Sequence, residues 1–186
     1  GLVAGDTATM TANDTLTYKA LVDLGVYAKT KYVKPIIQGG KEYYILFVRP
    51  EGLAQLKKDD DYMNAVVHGL PRSESDNPFF SGASVTVDGL VIHEHRLVYN
   101  TLGATSGVDK WGAGSDIDGS RALLLGPQAM GMADLGAPEW AEKWFNYDSS
   151  PGVNVDKMFG LVKPKYHTNY GDTVEDFGVI AVDHAI

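Results

Sequence analysis

Cysteine is absent from the 186 residues, which excludes a disulfide framework, a thiolate metal cage and a cysteine nucleophile together. Basic charge is scarce: 16 Lys and Arg stand against 24 Asp and Glu, a net charge of -8. The mean field therefore repels phosphate backbones, and no specific nucleic-acid site is expected. Two small basic clusters, Lys29 with Lys31 and Lys34, and Lys163 with Lys165, sit beside tyrosines and read as solvated faces. No apolar run approaches the roughly 18 residues that cross a bilayer, so no membrane partner is expected. The longest, Tyr43 to Val48, has the length of a strand. No Gly-x-Ser-x-Gly elbow occurs. The first residue is Gly1, without a charged start, an apolar stretch and a cleavage site, so the chain reads as a fragment or a processed product.

What is present is the composition of a folded chain, since hydrophobic residues make up 44% and charged residues 22%. Residues 1–12 are small and polar and read as an arm or linker. Asn13 or Asp14 is placed to cap a helix in which Leu16, Ala20, Leu21, Leu24, Tyr27 and Ala28 recur at helical spacing, with Gly25 as its weak point. After Pro35 and the turn chemistry of Gln38-Gly39-Gly40, the aromatic and β-branched run Tyr43–Val48 predicts a strand covered on both faces. Pro50 opens a helix through Leu53 and Leu56, and Asp59-Asp60-Asp61 opens a second through Met63 and Val66.

The polar stretch from Gly69 to Gly82 predicts a loop. Asp88-Gly89 between two apolar runs predicts a hairpin with a type I′ turn. Thr101 to Ser120 has almost nothing to bury and reads as a long mobile loop. Leu123 to Leu125 predicts a strand, Pro127 to Leu135 a short helix, and Lys143–Tyr147, Met158–Tyr166 and Phe177–Val182 three closing strands. Helices and strands mix without strict alternation, which gives an α+β class. The expected core is Leu21, Leu24, Ile45, Phe47, Leu53, Leu56, Ile92, Leu124 and Met130.

Candidate chemistry is thin. His93 and His95, two apart in a predicted strand, share a face with Cβ atoms about 6.5 Å apart, a spacing a metal could bridge. The local sequence supplies no third ligand, and His68, His167 and His184 lie on other segments, so these two remain weak metal candidates beside a structural reading. The stretch Gly112–Gly119 lacks the lysine of a phosphate loop and most ligands of a calcium loop, and reads as solvated surface. Glu139 and Glu142, beside Trp140 and Trp144, suggest the outer side of a helical turn rather than a glycosidase pair. No catalytic or cofactor-binding residue is assigned, and no cofactor is expected.

Four phrases in order carry a resemblance: "YYILFVRPEGLAQLKKDDDY" from Tyr43, "NPFFSGASVTVDGLVIHEHRLV" from Asn77, "RALLLGPQAMGMA" from Arg121 and "FGVIAVDHA" from Phe177. Together they resemble the later half of the major capsid proteins of N-four-type tailed phages. The resemblance implies the Hong Kong ninety-seven type of capsid fold. Residues 13–186 would form a single α+β unit, the axial domain with returning strands of the peripheral domain. It also implies a virion structural protein, not an enzyme. Copies would assemble in the host cytoplasm, with other capsid components, into hexamers and pentamers of an icosahedral shell enclosing the genome. Arg49 stands where that family often has His. The alternatives weighed beside it are an encapsulin-like compartment shell and, from a different class, a His-ligated metalloenzyme.

Overall fold

The computed structural model describes residues 7–69, 86–167 and 174–186. The expected loop between Gly69 and Gly82 lies almost wholly outside them. The described residues divide into two compact units, one running to Pro127 and including Gly178–Ile186, the other Gln128–Phe177.

In the first unit, α1 spans Tyr18–Thr30. Its cap is Thr17, whose side chain accepts from the Ala20 N–H, and not Asn13 or Asp14. Asp14 instead accepts from the N–H and hydroxyl of Thr11 and closes a turn. The next orphan donor of the helix, the Tyr18 N–H, is satisfied by the Asp59 carboxylate at 2.6 Å, an acidic group where the helix dipole favours one. Leu16, Leu21, Leu24 and Ala28 are buried as the periodicity requires, whereas Tyr27 faces solvent.

Two hairpins with Gly-containing turns frame the central strand. β1, Ile36–Gln38, returns through Gly39 and Gly40, both at positive φ, into β2, Lys41–Val48. α2, Pro50–Lys58, begins with proline at its first turn, and α3, Asp60–Gly69, with two aspartates. β3, Thr86–Val87, and β4, Leu90–Glu94, pair across Asp88 and Gly89, whose φ values of 47° and 78° are those of a type I′ turn. β5, Gly119–Leu125, is the central antiparallel partner of β2. Because β4 runs parallel to β2, the chain needs a crossover between them, and α2 and α3 lie on it.

The second unit contains β6, Gly131–Asp134; β7, Glu139–Phe145; β8, Ser150–Asp156; β9, Phe159–Val162; β10, Lys165–His167; and β11, Val174–Asp176. They form three two-stranded ribbons, β6 with β9, β7 with β8 and β10 with β11. The expected helix at 127–135 is therefore a turn and strand β6, held by pairing with β9 rather than by local propensity. None of the described side chains in this unit is buried. β12, Val179–Ala185, then pairs with β5 and completes a sheet of order β12-β5-β2-β4-β3, with β1 beside β2.

Register explains the core. On one face of the sheet lie Tyr44, Leu46 and Val48, Leu90 and Ile92, Ala122 and Leu124, and Val182; all are buried and cluster with Leu21, Leu24, Leu56 and Tyr62 of the helices. The alternate residues Ile45, Phe47, Leu123 and Leu125 are half-buried, so β2 is sealed on one face and not on both. Met130, counted toward the core from sequence, is exposed in the second unit, and Leu53 packs only at the core's margin. The mixture of helices with a mixed sheet is the α+β class that the sequence predicts.

The hairpin gives a direct test, since Gly89 combines positive φ with a backbone oxygen, that of Glu42, 3.1 Å from where a Cβ would stand. Gly89→Val should lower stability by about 1 to 3 kcal/mol, the usual cost of a β-branched residue held in such a conformation. Thermal melts of both proteins give the comparison; an unchanged midpoint would contradict the turn.

Candidate functional site

The two histidines singled out from sequence are brought to one place, but around a ring and not around a vacant centre. β4 ends at Glu94, so His95 lies just past the strand. In the parallel register His93 stands opposite Phe47, with the rings stacked at 5.7 Å, and His95 meets the same ring edge-on at 6.5 Å. His95 Nδ1 accepts the Leu97 N–H at 3.3 Å. His68 ends α3, His167 lies on β10 and His184 is buried in β12. Among the described residues no group of three His, Asp or Glu side chains is arranged to hold a metal.

The Gly112–Gly119 stretch is a loop, as its composition indicates, with one carboxylate already paired: Lys110 donates to Asp118 at 2.8 Å. It does have something to bury. Trp111 is buried over Gly119, where its ring leaves no room for a Cβ, and backbone bonds between Trp111 and Ile117 close the loop on itself. Glu139 and Glu142 lie on strand β7, not a helical turn, and three residues along a strand put their carboxylates on opposite faces. Trp140 and Trp144 are exposed instead of facing a core.

The strongest polar contact was not visible in the sequence. Arg121 of β5 and Asp183 of β12 are register partners, and the guanidinium donates two bonds, at 2.6 and 2.8 Å, to the carboxylate. This fork geometry holds the Arg121 pKa above its ordinary value, chiefly through those hydrogen bonds and against partial burial. The guanidinium also lies over the rings of Tyr99 and Trp111, at 5.7 and 5.9 Å, which are themselves stacked. One ion pair thus ties the edge strand, the central sheet and the 98–118 loop together. It is a clamp across the β5–β12 pair.

Residues 2–186 match the family model described as "Phage capsid protein". The chain belongs to the phage capsid protein family. It is 48% identical over 178 residues to the major capsid protein of Pseudomonas phage KPP25, an alignment that takes in 95% of this chain and 47% of that protein. Its fold is similar to the capsid of Ralstonia phage GP4, with a TM-score of 0.69 at 26% identity over the whole chain and 51% of the other. It is also similar to the capsid asymmetric unit of cyanophage Pam1, with a TM-score of 0.77 at 20% identity over 96% of this chain and 49% of that one. The chain spans about half the length of these relatives. The family match and the curated relative give no support to an encapsulin-like compartment shell or a His-ligated metalloenzyme. In the second unit Met132, Trp140, Trp144, Val155, Phe159 and Leu161 are exposed.

One buried ionisable group, His184, is expected to make the fold sensitive to acid. His184 lies under α2, its ring 2.6 Å from where a Cβ on Gly52 would stand. Its Nδ1 is 3.2 Å from the Ala185 carbonyl, and Nε2 has no partner. Burial pushes its pKa below the ordinary 6.5, with the Ala185 carbonyl and Asp183 opposing. A histidine depressed in the folded state binds its proton more readily when unfolded, so stability is full above 6.5 and falls as pH drops below it. Melting temperature should decline from neutral toward mildly acidic pH, and His184→Gln should flatten that decline. An identical slope in the variant would contradict the assignment.

Proposed function

We propose that this chain is the later half of an N-four-type major capsid protein with the Hong Kong ninety-seven type of fold. Copies form hexamers and pentamers of an icosahedral shell around the phage genome, assembled in the host cytoplasm. In this reading residues 1–12 are an arm or linker, and residues 13–186 carry the axial domain with returning strands of the peripheral domain. The observation that carries it is a family match over residues 2–186 in a chain whose second unit has apolar ribbons and, among the described residues, no buried side chain. A monomer at rest in water has no use for such a surface; a subunit with neighbours does.

Net charge supports contact with protein and not with nucleic acid, since a chain at -8 has little to offer a phosphate backbone beyond confinement. The test is electron microscopy of the polypeptide expressed at its full coding length. Closed shells of uniform diameter, with six- and five-fold clusters on their surface, are the expected result. Soluble monomers at every concentration and ionic strength would overturn the reading.

A further inference from the structure

β7 and β8 pair from Glu139↔Asp156 to Phe145↔Ser150. Side chains alternate across such a ribbon, so Trp140, Glu142 and Trp144 share a face with Val155, Val153 and Pro151. The opposite face largely closes on itself, because Phe145 lies against Gly152 and the Lys143 ammonium is 5.5 Å from the Phe145 ring. The tryptophan face has no such cover. Trp140 is 65% exposed and Trp144 54%. Glu142 stands between the two tryptophans on that face, and the ribbon as a whole is acidic, for residues 139–156 carry Glu139, Glu142, Asp148 and Asp156 against Lys143 alone.

A surface of opposite character lies at the end of α1. Residues 26–34 carry Lys29, Lys31 and Lys34 and no acidic residue, a local excess of positive charge in an acidic protein. Apolar and aromatic groups are exposed among these lysines: Val26 at 60%, Tyr27 beneath the Lys31 ammonium, and Tyr32 at 89%, held outward by its left-handed backbone at φ 57°. Each patch supplies what the other lacks, tryptophan faces and the Glu142 carboxylate on an acidic ribbon on one side, ammonium groups and tyrosines on the other.

We propose that the tryptophan face of the β7–β8 ribbon in one copy docks on the Lys29–Lys31–Lys34 end of α1 in a second copy. The inference rests on the shell reading and gives it a surface. Two different patches on each subunit make a head-to-tail contact, the kind that repeats and closes into rings. The alternative of ribbon against ribbon would set Glu142 toward its own copy inside an apolar contact, where like charges are costly.

The absence of cysteine from the chain makes the test clean. Val153→Cys on the ribbon and Val26→Cys on α1 replace exposed side chains, and circular dichroism verifies that each variant folds. Mixed and oxidised, the two variants should give a disulfide-linked dimer that neither gives alone. Lys31→Glu should weaken the band, and Glu142→Lys on the partner should restore it. Salt at about 1 M, where charges are screened beyond about 3 Å, should weaken it. A dimer from Val153→Cys alone, or no dimer specific to the mixture whether or not light scattering shows oligomers, overturns the proposal. Either failure leaves the shell reading to microscopy, which registers closed particles whatever surfaces build them.

Discussion

Seven residue pairs between β5 and β12, from Gly119↔Ala185 to Leu125↔Val179, close the first unit, and the other features of the chain hang from that closure. The two strands are separated by the whole of Gln128–Phe177, so their pairing carries a loop-closure cost of about 3 to 4 kcal/mol for a flexible stretch of that size. Several contacts offset it at once. Leu124, Ala122 and Val182 enter the core, Arg121 forks onto Asp183, and Trp111 covers Gly119 at the strand's first residue. His184 is the weak element of the clamp, buried and one hydrogen bond short. The same pairing brings Pro127 and Gly178 to neighbouring positions, which lets a long excursion leave and re-enter the sheet without disturbing it.

The division of labour follows from where apolar area is buried. The first unit places its large aliphatic side chains between helices and sheet, each fully buried one contributing about 1.5 to 3 kcal/mol. The second unit has alternating patterns of the same residue types but only two-stranded ribbons to hold them, and a ribbon of two strands is marginal by itself in water. In the proposed shell, contacts with neighbouring copies are what would order it.

Local chemistry was legible in the sequence; pairing was not. Asp88-Gly89 and Pro50 carry their structure within a few residues and stand as read, and the run from Tyr43 to Val48 is the expected strand but sealed on one face only. The cap of α1 is expected at Asn13 or Asp14, whereas the helix starts later, behind Thr17, and its second N-terminal acceptor, Asp59, lies some forty residues on. Trp140 and Trp144 are four apart, a spacing that suits one face of a helix and one face of a strand equally, and only β8 opposite them decides. The Ala- and Met-rich stretch before Leu135 has helical propensity that pairing with β9 overrides. His93 and His95 were correctly placed together, while the Phe47 ring between β2 and β4 that they share depends on a parallel register no local pattern shows. The Arg121–Asp183 clamp was out of reach for the same reason.

The central claim is that Gly119–Leu125 and Val179–Ala185 close a self-sufficient unit while Gln128–Phe177 has no stability of its own. Residue-resolved hydrogen exchange on the free chain tests it most directly. Amides of β2, β5 and β12 should exchange only through global unfolding, and those of β7 and β8 orders of magnitude faster through local opening. In assembled particles the β7 and β8 amides should become protected. Protection of β7 and β8 in the free chain equal to that of β5 and β12 would contradict the account, because it would mean that the excursion folds without a neighbour.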